Sequence, residues 1–248
     1  MAMCKLCRLD KPLCQSHIYP EFLYATLYND DGRMMGITGV GRRGWTLVQK
    51  GLRDELLCRE CEALLNERYE IPFQQQWTNR YPLPERANEG EMFYAQFAYA
   101  TFKLFHLSIL FRAAVSSHPM FGVVTLGKHE DIIRRMILGG DAGRVDRYPI
   151  FATALINGRA EIERRLIAAP TLTRVGGHRI YGFTFDGVLW WYSVSSHRNL
   201  EFERGGLQGN GAMAFYVSPW HEHAVTQAAA KALRNPRQRL RPAQRNGT

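Results

Sequence analysis

Two Cys-x-x-Cys pairs, Cys4 with Cys7 and Cys58 with Cys61, constrain this chain more than any other feature of its sequence. All five cysteines precede residue 72, the fifth being Cys14. The N-terminal run Met1-Ala2-Met3-Cys4-Lys5-Leu6-Cys7-Arg8 has no basic segment followed by an apolar stretch, so no secretory leader is expected and the compartment should be the reducing cytoplasm. In that setting, two such pairs match a tetrahedral thiolate site in which each pair supplies two sulfurs to one Zn2+. Buried cysteines or a redox pair would explain neither the doubling nor the placement.

The placement adds an order of elements. The first pair sits on a tight turn, and residues 33–49 mix β-formers with glycines in a loose hairpin after the turn signal Asn29-Asp30-Asp31-Gly32. Leu57, Cys61, Leu64 and Leu65 form a helical stripe, so a helix should begin at about Cys58 and stop before Pro72. Knuckle, hairpin and helix follow one another as in a treble-clef zinc finger. Zinc would contribute folding free energy directly, because a module this small holds little core. Cys14 and His17, spaced as Cys-x-x-His, are alternative ligands to the same ion or to a second one.

Between these pairs lies Ser16-His17-Ile18-Tyr19-Pro20, and the second pair is carried by Leu56-Leu57-Cys58-Arg59-Glu60-Cys61. Together they resemble the zinc-containing HNH (His-Me finger) endonucleases over about residues 1–70. The resemblance implies that His17 is the general base that deprotonates a water attacking a scissile phosphate. It also implies a catalytic divalent ion, Mg2+ or Mn2+, held between strand and helix. An imidazole titrating near neutrality suits the role of base. The chain departs from the family pattern in three places. Ser16 stands where His or Asp usually binds the metal, Glu62 stands where the last histidine is expected, and Arg53, with Asp54 beside it, stands where an asparagine is expected. Glu62 retains a carboxylate suited to a hard cation, and Asn66 and Glu70 follow on the same helix face. The competing role for His17 is a hydrogen bond within the hairpin or a zinc contact.

The rest of the chain is expected to be α+β. Residues 73–90, with Pro82 and Pro84, read as a linker; 91–230 read as a larger α+β domain; 231–248 read as a basic tail. A composition of 46% hydrophobic and 22% charged residues excludes intrinsic disorder as a whole-chain state. The most apolar stretch, 92–114, carries Gln96, Lys103, His106, Ser108 and Arg112 and fails as a membrane span. Its apolar positions from Phe93 to Phe111 suggest one helix ending near Ser116, and a second helix spans Lys128 to Leu138, closed by Gly139-Gly140. Strands are expected over 148–156, 168–175, 180–185, 188–194 and 212–217, with Asp186-Gly187 as a hairpin turn and a last helix over 220–233. Trp190 and Tyr192 share a strand face and read as core rather than as a base-stacking surface.

The net charge of +9 is concentrated in the tail, where Arg237, Arg239 and Arg241 are candidate phosphate contacts. The stretch Phe105 to Arg112 resembles, in a general way, uncharacterised bacterial proteins that carry this finger, sometimes near anti-phage functions. Two functions are therefore expected in competition. One is an HNH-like endonuclease acting on DNA, or on RNA, with His17 and Glu62 as its catalytic groups. The other is a non-catalytic zinc module that recognises nucleic acid or a protein partner, the α+β region serving targeting or self-association.

Overall fold

The computed structural model describes residues 2–28, 34–36, 46–48, 51–197 and 205–223. Strands β1 (Ala2–Met3) and β2 (Asp10–Lys11) pair antiparallel and carry the first cysteine pair in the turn between them. β3 (Leu13–His17) leads into a 3-10 turn over Glu21–Leu27. β4 (Met34–Gly36) and β5 (Thr46–Val48) form the expected antiparallel hairpin. β6 (Arg53–Cys58) then returns along β3 and sets Asp54 opposite Ser16 and Arg53 opposite His17.

Cys58 caps α1 (Arg59–Leu65). The helix does not stop before Pro72 as the sequence suggests. It widens into a π-helical turn at Asn66–Glu70 and resumes as α2 (Ile71–Gln76). Pro72 falls in the first turn of the renewed α register, where its missing N–H matters least, and the π turn supplies the offset that makes this possible.

A second correction concerns residues 92–98. The apolar residues there fit a period of two as well as a helical one, and β7 (Met92–Gln96) forms as a strand before α3 (Tyr99–Val115) begins. Every residue of α3 from Phe102 to Ala113 is buried, so this helix is enclosed on all sides. α4 (Lys128–Gly139) closes on Gly140, whose φ of 69° is the left-handed cap expected from Gly139-Gly140.

The remaining strands are β8 (Ile150–Ile156), β9 (Ala168–Val175), β10 (His178–Phe185), β11 (Val188–Val194) and β12 (Ala212–Pro219). They join β7 in one six-stranded sheet of order β7-β12-β8-β11-β10-β9, in which the β12–β8 pair is parallel and the others are antiparallel. Asp186 and Gly187, with φ of 48° and 80°, make the tight turn between β10 and β11. A Cβ on Gly187 would also lie 2.5 Å from Ile162 and 2.8 Å from Tyr81. The molecule is thus mixed α+β, as expected.

Buried residues from Cys4 to Val217 form a single continuous cluster, to which Trp190 and Tyr192 belong. Tyr19, just after β3, has its ring within 6.2 Å of those of Phe121, Phe183 and Phe185. Phe73 of α2 stacks on Phe105 of α3 at 3.6 Å. A smaller cluster of Leu155, Ala168 and Leu189, with Trp191 and Trp220 against it, lies on the other side of the sheet. Among the described residues no helix is long and apolar enough to cross a membrane. Of the expected last helix only a 3-10 turn at Trp220–Glu222 is described, and residues 224–248, including Arg237, Arg239 and Arg241, lie outside the described residues.

Candidate functional site

The first cysteine pair is shaped by backbone hydrogen bonds. Arg8 N donates to Cys4 O at 2.9 Å and Cys4 N donates to Leu9 O at 3.0 Å, with Arg8 in the left-handed region at φ 61°. Lys5 N donates to Leu56 O at 2.9 Å, which fastens this turn to β6. The second pair sits at the junction of β6 and α1, so both pairs arrive at one place. The ligand atoms of Cys4, Cys7, Cys58 and Cys61 all lie within 4.8 Å of one another.

Four sulfurs around one zinc at about 2.3 Å stand about 3.8 Å apart in tetrahedral geometry. The Cys7 and Cys58 sulfurs are separated by 3.8 Å. The donor set therefore fits a structural zinc, and it does so without Cys14, which lies on β3 opposite Leu57. Burial pushes the Cys4 thiol up, but backbone N–H groups of Cys58, Cys7 and Leu6 outweigh it and bring the thiol down to about 7. Cys58 is pushed up to about 11, chiefly by burial, and Cys61 is also raised by burial and by its neighbours Cys58 and Cys4. Packing several thiolates together is unfavourable in the absence of a cation, and a bound dication reverses that preference.

His17 ends β3, fixed by the hydrogen bond from Arg112 Nη1 to its carbonyl oxygen at 2.9 Å. Its Nε2 lies 2.7 Å from Arg53 Nε and 2.6 Å from Glu21 Oε2. Glu21 also accepts from the Tyr28 hydroxyl, 2.6 Å from its Oε1. Burial is the main cause that lowers the His17 pKa; Arg53 adds to it and Glu21 opposes it.

Neighbouring residues of a strand face opposite ways, and Ser16 turns inward where His17 does not. Ser16 is buried; its Oγ accepts from Leu57 N at 3.1 Å and its side chain hydrogen-bonds Glu62. Glu62 Oε1 is buried without a hydrogen-bond partner, and burial raises its carboxyl pKa. The imidazole of His17 and the carboxylate of Glu62 are thus held by separate sets of partners. Glu70 is paired with Arg112 at 2.8 Å. Asp54 accepts hydrogen bonds from Ser116 Oγ, Ser117 N and Ser117 Oγ at 2.7–2.9 Å, tying β6 to the end of α3.

Sequence reasoning missed Glu21, Tyr28 and the bridging role of Arg112. Only Glu21 carries a local signal, since it stands four residues after His17. No family model, curated protein or solved structure matches this chain.

Proposed function

We propose that this chain is a metal-dependent HNH-like endonuclease that hydrolyses DNA phosphodiester bonds, with a zinc-organised treble clef as its catalytic module. The observation that carries the reading is the convergence of four sulfurs at the β6–α1 junction, beside the paired strand that ends in His17. With its pKa held low, His17 is neutral at neutral pH and able to accept a proton from water. Arg112 fixes its backbone.

Ser16 is a neutral replacement for a charged ligand, so a hard divalent ion finds one partnerless carboxylate oxygen here, that of Glu62. Mg2+ is commonly held by one or two carboxylates together with substrate phosphates. Glu62 would hold Mg2+ or Mn2+, which when bound neutralises charge developing on the phosphate. The α+β region would serve targeting, self-association or contact with a protein partner, and the basic tail with Arg237, Arg239 and Arg241 would hold the DNA backbone.

The test is nicking of plasmid and single-stranded DNA with Mg2+ or Mn2+. His17→Ala should lower the rate by about a hundredfold or more, the usual contribution of a general base. Nicking that survives both His17→Ala and Glu62→Ala would remove this site.

A second reading is favoured by the same contacts. Arg53 and Glu21 already occupy Nε2 of His17, and Arg112 already consumes Glu70, as in a non-catalytic zinc module that recognises nucleic acid or a protein. Salt-sensitive retention of DNA without nicking would support it.

A further inference from the structure

We propose that Glu21 is an intramolecular stand-in for phosphate, a resident carboxylate filling an oxyanion site built from His17, Arg53 and Tyr28. This rests on reading His17 as the base beside the scissile phosphate and adds the regulation of that same site. Three groups converge on the one carboxylate. Tyr28 donates its hydroxyl to Oε1 at 2.6 Å, His17 Nε2 lies 2.6 Å from Oε2, and Arg53 Nη2 lies 3.6 Å from Oε2. A phenol and a guanidinium are donors suited to a phosphate oxyanion, and the imidazole beside them lines the same place.

The arrangement also holds an internal conflict. A single imidazole nitrogen offers either one lone pair or one hydrogen. Nε2 of His17 therefore cannot accept from Arg53 Nε at 2.7 Å and donate to Glu21 Oε2 at 2.6 Å in the same state. One of the two contacts must yield, and Glu21 is the one that can leave. Its side chain is 48% exposed and sits on a short 3-10 turn, whereas Arg53 and His17 lie opposite each other in the β3–β6 pair. A phosphate in the carboxylate's place would accept from the Tyr28 hydroxyl and the Arg53 guanidinium, with no contact to Nε2 that competes with Arg53. Glu21 then acts as a plug that weakens binding of isolated anions and yields to a polyanionic strand carrying further contacts.

The experiment is a titration of inorganic phosphate into the full-length protein, followed by the NMR signals of the His17 ring. Wild type, Glu21→Gln, Glu21→Asp and the double variant Glu21→Gln/Arg53→Gln are compared. Glu21→Gln, close in shape but uncharged, should bind phosphate at least about tenfold more tightly than wild type. Glu21→Asp keeps the charge but is shorter, so it should gain less. The double variant should lose the gain. Equal affinity in wild type and Glu21→Gln, or a gain that persists without Arg53, overturns the proposal. A Glu21→Gln gain in a protein that never nicks DNA supports the anion site and removes the nuclease. Nicking with no change in phosphate affinity removes the plug and leaves the nuclease.

Discussion

Arg112 shows how much one side chain can carry without announcing itself in the sequence. It is 1% exposed, pairs with Glu70, donates to the His17 carbonyl and reaches Ser108 at both O and Oγ. Arg112→Met should cost about 3–5 kcal/mol in denaturant unfolding, because it leaves the Glu70 carboxylate without its counter-charge in a largely buried setting. Lys103, on the same helix, gives a pH signature. Burial draws its ammonium down to about 7 from 10.5; Arg147 adds to this, while Asp146 and Asp141 oppose it. Its Nζ donates to Tyr99 Oη and Arg144 O. Between pH 7 and 10.5 the unfolded chain holds this proton and the folded one does not, so the Lys103 contribution to stability rises with pH there, by up to about 1.4 kcal/mol per unit. Lys103→Met should be at least as stable as wild type at pH 7 and should lose that rise, as read from unfolding curves at pH 7 and 9. The cysteines were legible because spacing alone reveals a thiolate site. Arg112, Lys103 and Tyr28 were not, because their meaning comes from partners that the chain brings to them only on folding.

At the level of elements, the β3–β6 pair and α1 form a unit held at one end by the sulfurs and at the other by Asp54. Burial pushes the Asp54 carboxyl up, but hydrogen bonds from Ser117, Ser116 and Glu55 outweigh it and hold it below its usual range. Its contribution is therefore present above pH 4 and is lost as pH falls through the lowered folded value. Asp54→Ala should cost about 1–3 kcal/mol at pH 7, with a gap from wild type that closes in acid. Strands β9 and β11 were readable to the residue because a turn signal adjoins each, Gly176-Gly177 after β9 and Asp186-Gly187 before β11. Residues 92–98 were not, since an edge strand running into a buried helix offers apolar residues that fit both periods. The passage of the helix through Pro72 was hidden for another reason. A π turn leaves no mark in apolar spacing, and only the ladder of hydrogen bonds reveals it.

Across the whole molecule, the buried surface of the cysteine-bearing segment and that of the sheet are one cluster, with Tyr19 and Phe73 as its links. Trp77 adds a polar tie, donating from Nε1 to Asp186 Oδ2 at 2.8 Å, where Arg164 also binds. Removing zinc with a chelator should therefore lower the melting temperature of the whole protein in one transition, measured by calorimetry, rather than release a separate N-terminal unit. Everything proposed for His17 depends on its imidazole being free of the zinc. The most direct measurement is X-ray absorption at the zinc edge of the purified protein together with metal content. One zinc per chain with four sulfur neighbours at about 2.3 Å is the expected result. A chain without zinc, or a shell of three sulfurs and one histidine nitrogen that vanishes in His17→Ala, would contradict it.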